Sequence, residues 1–179
     1  MNIPNFLTIL RILLIPLFII LLAYEFYPLA LLLFVCAGIT DALDGFLART
    51  FKQKTTLGGY LDPIADKLLL STSFVAFSIL KLMPAWLAIL VISRDVIILG
   101  GIMVLMVNSF TISINPTIIS KCTTTLQLLT IGLVLLFQVL QKKFIPLQVM
   151  YWTTGLFTII SGIDYVRRGI RLINERERN

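Results

Sequence analysis

The sequence contains no histidine and few charged residues of either sign. Of its 179 residues, 13% are charged and 58% are hydrophobic, and the mean hydropathy is +0.97. The absence of histidine excludes imidazole both as a metal ligand and as a general base. A water-soluble domain of this size cannot cover its surface with so few charged side chains, so we expect a lipid bilayer to surround the chain.

Cysteine is also scarce, since the chain carries only Cys36 and Cys122. Both lie within apolar stretches, and we interpret them as small residues at helix contacts, not as a disulfide. The N-terminal stretch lacks the basic start and the small-residue cleavage site of a signal peptide, so we expect no cleavage there. The sequence shows no internal repeat and no low-complexity tract.

Apolar stretches long enough to cross a hydrocarbon core of about 30 Å recur along the whole chain. Polar breaks and prolines between them predict an all-α, polytopic membrane protein with six transmembrane helices and a short N-terminal interfacial segment. No soluble domain fits between the spans, so we expect residues 1–179 to form a single membrane domain. The interfacial segment is residues 1–8, and the predicted spans are residues 9–24, 28–51, 57–80, 85–107, 117–140 and 146–173.

The basic residues behind the net charge of +6 are unevenly distributed. Six spans place both termini on one side of the membrane, together with the loop after the second span. That side carries Arg49, Lys52, Lys54, Arg167, Arg168, Arg171, Arg176 and Arg178, and the other side carries Lys81, Lys142 and Lys143. The excess favours a cytoplasmic location for the termini by the positive-inside rule. We attribute the charge to topology and to attraction for anionic lipids, and we expect no binding of nucleic acid.

Four of the nine acidic residues lie close together, at Asp41, Asp44, Asp62 and Asp66. A carboxylate within a membrane helix is costly and is normally functional. The first two are three residues apart and the last two are four apart, so each pair shares a helix face. A short loop would make the two helices antiparallel neighbours and bring the four carboxylates together. Such a cluster needs cations, and an all-oxygen ligand set favours Mg²⁺ or Mn²⁺ over zinc.

Other residues near these acids allow two interpretations. The acids could form structural salt bridges with Arg49, Lys67 and Arg94, although four convergent acids are poorly explained in that way. Gly45 and Gly58 could be helix-packing notches, or they could let a phosphate approach the backbone. We favour the second use without excluding the first. Arg49 lies five residues after Asp44, where a fixed guanidinium can bind a diphosphate.

The spacing of these residues matches a known signature. Residues 41–49 read Asp-Ala-Leu-Asp-Gly-Phe-Leu-Ala-Arg, and residues 58–66 read Gly-Gly-Tyr-Leu-Asp-Pro-Ile-Ala-Asp. They resemble the signature DxxDGxxARx8GxxxDxxxD of the CDP-alcohol phosphotransferase (phosphatidyltransferase) family, with all fixed positions filled. In the family this segment holds two metal ions, which implies metal ligands at Asp41, Asp44, Asp62 and Asp66. The resemblance also implies that Asp66 is the general base, and that the protein is a homodimer.

The same resemblance implies a site for CDP-diacylglycerol. Gly45, Arg49 and Thr55 match positions that contact the CDP-lipid, and the opening Asn5-x-x-Thr8 resembles a segment that closes over the nucleotide. With Gly58, which lets a phosphate approach the backbone, the candidate CDP-lipid-binding residues are Asn5, Thr8, Gly45, Arg49, Thr55 and Gly58.

The alcohol acceptor is open to two interpretations. Residues 1–11, 61–68 and 161–165 resemble bacterial phosphatidylglycerophosphate synthases, whose acceptor is glycerol 3-phosphate. Arg94 and Lys121 could then bind the acceptor phosphate, or Arg94 could pair with Asp95 while Lys121 extends to the membrane surface. However, Ser93-Arg94-Asp95 stands where those synthases usually have Ala-Arg-Glu. Together with residues 116–121, this segment resembles eukaryotic-type cardiolipin synthases, which use phosphatidylglycerol.

We therefore expect an inner-membrane enzyme whose active site faces the cytoplasm. The expected reaction transfers a phosphatidyl group from CDP-diacylglycerol to glycerol 3-phosphate and releases CMP, with cardiolipin synthesis as the alternative. An ion-coupled transporter is an alternative of another class, because intramembrane carboxylates also bind protons or Na⁺. The short chain, the lack of repeats and the position of the acids near one membrane face favour the enzyme.

Overall fold

The computed structural model describes residues 3–50, 56–107, 117–141 and 146–177, although some side chains within them, including those of residues 41–50 and 56–66, are outside the description. The described residues form six α-helices and no strands. The prediction of an all-α fold with six helices is confirmed. The helices are α1 (Ile3–Ala23), α2 (Tyr27–Thr50), α3 (Thr56–Ile79), α4 (Ala85–Val107), α5 (Ile118–Val139) and α6 (Pro146–Glu177).

The first helix begins earlier than expected. We predicted a short interfacial segment over residues 1–8 that leads into a span from residue 9, and α1 runs without a break from Ile3 to Ala23. Pro4 does not prevent this start, because the N–H groups of the first helical turn have no intrahelical partner. The backbone therefore shows no boundary between an interfacial and a spanning part.

Three helices end at a polar residue in the left-handed conformation. After α1, the N–H of Phe26 donates to the carbonyl oxygen of Leu21 at 2.8 Å, and Glu25 has a φ of 60°. Lys81 after α3 and Gln141 after α5 have φ values of 58° and 51°. Glycine normally occupies this position in helix-ending turns of this kind. These helix ends therefore coincide with the polar breaks in the sequence without the usual glycine signal.

The chain folds into two compact units. The first unit comprises Met1–Met83 and Ile131–Phe144, and the second unit comprises Pro84–Thr130 and Ile145–Asn179. Helix α5 contributes its first residues to the second unit and its last residues to the first. The single domain that we expected over residues 1–179 stays a prediction.

In the first unit, α1 packs against both α2 and α3. Phe18 and Leu22 of α1 are fully buried, as are Phe74 and Phe77 of α3. The ring of Phe18 also contacts that of Phe34 on α2, with centroids 6.1 Å apart and an angle of 33° between the planes. This separation is typical of a favourable aromatic pair. Helix α1 is thus the common packing partner of the two helices that carry the acidic pairs.

In the second unit, α4 and α6 pack side by side. The ring centroids of Trp86 and Trp152 lie 4.9 Å apart. A Cβ built on Gly155 would lie 2.7 Å from the Trp86 ring, and one on Gly162 would lie 3.6 Å from Cγ of Arg94. The contact therefore advances by a similar distance along both helices, which shows that α4 and α6 run parallel.

Helices α5 and α6 are joined by hydrogen bonds between buried polar side chains and their neighbours. Threonine and glutamine hydroxyl and amide groups bridge helices closely in apolar surroundings, where no water competes for them. Thr130, toward the end of α5, bonds to a residue nearer the start of α6 than the partners of Gln127 and Thr123 are. The two helices are therefore antiparallel here. The bonds are Thr130–Thr154 at 2.8 Å, Gln127–Thr158 at 3.3 Å, and Thr123 to the carbonyl oxygen of Phe157 at 3.1 Å.

Among the described residues, one helix is long and apolar enough to cross a membrane, and this is α5 (Ile118–Val139). The shorter apolar segments Ile12–Ala23, Tyr27–Thr40 and Lys67–Ile79 belong to α1, α2 and α3. In these helices the adjoining side chains lie outside the described part of the chain. The six helices are therefore observed, whereas six membrane spans remain an inference.

The close contact at Gly155 generates a prediction for stability. Replacing Gly155 with alanine places a methyl group against the rigid Trp86 indole, so the α4–α6 contact must shift. We expect Gly155→Ala to lower the free energy of unfolding by about 1–3 kcal/mol, measured by thermal unfolding of the purified protein. Gly169→Ala on the same helix is the matched control, because a Cβ there meets nothing within 4 Å. Equal stability of the two variants would contradict the contact.

Candidate active site

The two acidic pairs lie on two helices of the first unit. Asp41 and Asp44 lie near the end of α2, and Asp62 and Asp66 lie near the start of α3. Because both stretches are continuous helix, positions three or four residues apart fall on the same helix face. The pairwise sharing of a face that the spacing predicted is consistent with the observed backbone. The structure describes the backbone at these four positions but not the side chains, so their convergence on metal ions stays a prediction.

The depth of the acids along their helices is also matched. Asp44 lies six residues before the end of α2 at Thr50, and Asp62 lies six residues after the start of α3 at Thr56. At about 1.5 Å per residue, each is about 9 Å from its helix end. Only residues 51–55 separate the two helices, so a direct return of the chain would bring the two positions to a similar depth.

The predicted CDP-lipid residues belong to the same unit. Asn5 and Thr8 lie on α1, Gly45 and Arg49 on α2, and Gly58 on α3. Since α1 packs against both other helices, all of these positions belong to one helix group. The remaining residue is Thr55, which lies outside the described residues.

Arg94 is the centre of a polar cluster in the second unit. It is 6% exposed, and Nη1 donates to Oδ1 of Asp95 at 2.8 Å. Nη2 donates to the hydroxyl oxygens of Ser120 and Ser161, both at 2.8 Å. The pairing with Asp95 that the sequence left open is therefore observed. One guanidinium connects α4 with both α5 and α6.

The Arg94 cluster has unused hydrogen-bonding capacity. A guanidinium carries five N–H donors, and the bonds above use three of them. Nε of Arg94 is buried and has no hydrogen-bond partner among the described residues. The guanidinium carbon also lies 5.9 Å from the ring centroid of Tyr165, within reach of a cation–π contact. The cluster can therefore hold one further acceptor without losing the bonds that join the helices.

Lys121, the second predicted acceptor-phosphate residue, follows Ser120 on α5 and is exposed. Its exposure fits the alternative in which the side chain extends to a surface, and the phosphate role of Arg94 and Lys121 stays a prediction. Ser120 and Ser161 were not predicted as partners of Arg94. Their separations of 26 and 67 residues from Arg94 carry no local signal.

A prediction follows from the position of Arg94 between three helices. Replacing it with leucine removes the bonds to Ser120 and Ser161 and leaves both buried hydroxyls to find new partners. We expect Arg94→Leu to lower the free energy of unfolding by about 3 kcal/mol. The neighbouring Ser93 is exposed, so Ser93→Ala should stay within about 0.5 kcal/mol of the parent. Thermal unfolding measures both variants. An Arg94→Leu variant with the same free energy of unfolding as the parent would exclude the structural role.

Comparison with known proteins identifies the family. Residues 1–160 match the family described as CDP-alcohol phosphatidyltransferase. A probable cardiolipin synthase (CMP-forming) from Drosophila melanogaster is 36% identical over 183 residues, which cover 93% of this chain and 57% of that protein. The chain thus spans little more than half the length of that relative.

Two bacterial relatives match over nearly their whole length. The CDP-diacylglycerol–glycerol-3-phosphate 3-phosphatidyltransferase of Bacillus subtilis is 33% identical over 183 residues, covering 92% of this chain and 93% of that protein. The enzyme of the same name from Aquifex aeolicus is 35% identical over 182 residues, covering 97% and 98%. These matches confirm the resemblance that the motif indicated. The enzymes of this family are membrane-associated and use CDP-diacylglycerol and an alcohol. The chain belongs to the CDP-alcohol phosphatidyltransferase family.

Proposed function

We propose that this chain transfers a phosphatidyl group from CDP-diacylglycerol to glycerol 3-phosphate, forming phosphatidylglycerophosphate and releasing CMP. The observation that carries the proposal is the complete signature on α2 and α3, with its inner acids equally far from the two helix ends. The choice of acceptor is supported by the bacterial relatives, which this chain matches over 93% and 98% of their length. Nε of Arg94, which has no hydrogen-bond partner in the described part of the chain, adds a buried donor that an acceptor phosphate could use.

The proposed metal site consists of Asp41, Asp44, Asp62 and Asp66. This donor set contains only carboxylate oxygens, and hard divalent cations such as Mg²⁺ or Mn²⁺ prefer such ligands. The positions also fit, since each pair shares one face of an observed helix. When bound, two such ions would supply positive charge to the diphosphate and to the departing CMP.

The protein's own residues have distinct roles in the proposed reaction. Arg49, together with Asn5, Thr8, Gly45, Thr55 and Gly58, binds the CDP-lipid. Asp66 takes the proton of the acceptor hydroxyl as its oxygen attacks the phosphorus that bears the diacylglycerol. A new phosphate ester bond forms, the phosphoanhydride bond breaks, and CMP leaves with the electron pair. Arg94 and Lys121 hold the phosphate of the acceptor.

We also propose that all six helices span the inner membrane, with the signature facing the cytoplasm. The shortest helix, α1, has 21 residues, and the longest, α6, has 32. At 1.5 Å per residue they are about 32 and 48 Å long, so each can cross a core of about 30 Å. The basic residues of the α2–α3 connection and of the end of α6 favour this orientation. The homodimer implied by the family remains part of the proposal.

Cardiolipin synthesis is the second candidate. The observation that favours it is the Arg94–Asp95 pair, because bacterial phosphatidylglycerophosphate synthases usually have a glutamate at the position of Asp95. The Drosophila relative, a probable cardiolipin synthase, is also 36% identical. In this case the acceptor hydroxyl belongs to phosphatidylglycerol, and the chemistry at the diphosphate is unchanged. The transporter alternative gains no support, because none of the relatives named above is a transporter.

An acceptor competition assay tests the reaction and separates the two candidates. We expect the purified protein to release CMP from CDP-diacylglycerol when glycerol 3-phosphate and Mg²⁺ or Mn²⁺ are present, and to stop when the metal is chelated. Phosphatidylglycerol in place of glycerol 3-phosphate should give less than a tenth of that rate. Release of CMP with phosphatidylglycerol alone would establish cardiolipin synthesis instead. No release with either acceptor would exclude the enzyme.

The role of Asp66 is tested by a substitution that removes only its negative charge. Asp66→Asn should bind CDP-diacylglycerol yet lose at least about 100-fold in kcat, because the amide cannot accept the hydroxyl proton. Glu25→Gln is the matched control, since Glu25 is an exposed acid outside the signature at the end of α1. Turnover and donor binding should be measured on the same preparations. An Asp66→Asn variant with near-parental turnover would refute its role as the base.

A further inference from the structure

An open groove runs along the contact between α4 and α6 in the second unit. Its volume is about 320 Å³. Its walls include Leu90 and Ile97 from α4, and Ile159, Ile163 and Val166 from α6. Four of these five side chains are 45–51% exposed, so the groove opens to the surroundings of the helices. It is therefore an apolar channel on a surface, not an enclosed cavity.

Glycine and arginine stem atoms form the floor of the groove. Gly162 contributes no side chain, and the nearest atom to a Cβ built there is Cγ of Arg94, at 3.6 Å. Arg94 thus presents its aliphatic stem to this position while its guanidinium is bound to Asp95, Ser120 and Ser161. The polar cluster does not make the groove polar.

The length of the groove matches one leaflet of a bilayer. Its lining on α6 extends from Thr158 to Arg167. These nine steps along the helix correspond to about 14 Å, and half of a hydrocarbon core of about 30 Å is about 15 Å. An extended acyl chain of one leaflet is the apolar ligand with this length and this open access.

One end of the groove is cationic. Since α4 and α6 run parallel and Gly162 lies beside Arg94, Arg167 lies beyond Ile97 at the C-terminal end of the lining. Arg168, the next residue, pairs with Asp164 at 3.1 Å, and Arg171 is exposed one turn further. This stretch therefore carries three arginines against one acid. A positive site at the end of an acyl-length groove is complementary to the phosphate of an acidic lipid.

We propose that the α4–α6 groove binds one acyl chain of an acidic phospholipid, whose headgroup phosphate contacts Arg167. The proposal takes the membrane setting from the proposed function but does not depend on the reaction. A free phosphate would not use the apolar walls. A second copy of the chain would bring the same arginines together at one level and would be repelled. The acidic lipid satisfies both the apolar length and the charge at its end.

Native mass spectrometry of the full chain in a nonionic detergent provides the test. The probes are dioleoyl phosphatidylglycerol, dioleoyl phosphatidylcholine and free glycerol 3-phosphate. We expect phosphatidylglycerol to bind at least about fivefold more tightly than phosphatidylcholine, because the cationic end favours a net negative headgroup. Arg167→Gln should remove this preference, whereas Arg171→Gln, the same change outside the groove lining, should keep it.

A second pair of variants tests the apolar part. Gly162→Leu fills the groove and should weaken phosphatidylglycerol binding at least tenfold, whereas Gly162→Ala introduces only an ordinary contact and should bind like the parent. Arg167 is exposed, so Arg167→Gln remains informative even if Gly162→Leu folds poorly. Equal lipid binding by Arg167→Gln and Arg171→Gln, equal affinity for the two lipids, or displacement of the lipid by glycerol 3-phosphate would overturn the proposal. None of these readings requires turnover.

Discussion

Polar groups within these apolar helices must find their partners inside the protein, because apolar surroundings supply none. An unpaired buried donor or acceptor costs about 1–3 kcal/mol, and an unpaired charge costs more. In the second unit, hydroxyl and amide groups of α5 bond to groups of α6, and the Arg94 guanidinium bonds to both helices from α4. The constraint thereby becomes the means by which three helices are held in register.

The same constraint applies to the acids of the first unit with a different outcome. Four carboxylates on α2 and α3 cannot satisfy one another, because like charges repel and each needs a donor or a cation. A protein-only solution like that of Arg94 and Asp95 would require four matching cations. In the proposed function, bound divalent metals and a diphosphate would turn this cost into a substrate site. Under that proposal the two units solve the same problem in two ways, one structural and one functional.

The sequence predicts the helices well because the features that end them are local. The predicted fourth span coincides with α4, and the predicted second, third and fifth spans differ from α2, α3 and α5 by one residue at each end. For α5, the hydroxyl of Thr117 accepts the N–H of Ser120, so Thr117 caps the helix and does not belong to it. Helix α1 begins at Ile3, six residues before the predicted first span, because Pro4 in a first turn does not interrupt a helix.

The site was predictable only where its residues are close in sequence. Asp41 and Asp44 lie within nine residues of the end of α2. Asp62 and Asp66 lie within ten residues of the start of α3. Spacing alone therefore relates each pair to one helix face and both pairs to one depth. The partners of Arg94 lie on other helices, and their positions depend on how α5 and α6 pack. The α4–α6 groove is still less visible, since it depends on the parallel register of two helices that are separated along the chain by α5.

Arg94 joins the structural and functional interpretations of the second unit. A buried cation binds an anionic ligand more tightly if its position is fixed before the ligand arrives, because ordering the side chain then costs no binding energy. Its bonds to Asp95, Ser120 and Ser161 provide that fixation and leave Nε free among the described residues. Lysine could not do the same, because a single ammonium lacks the planar fork that serves several partners at fixed angles. The observed pairing with Asp95 is therefore compatible with the proposed acceptor-phosphate role, because it fixes the guanidinium without using Nε.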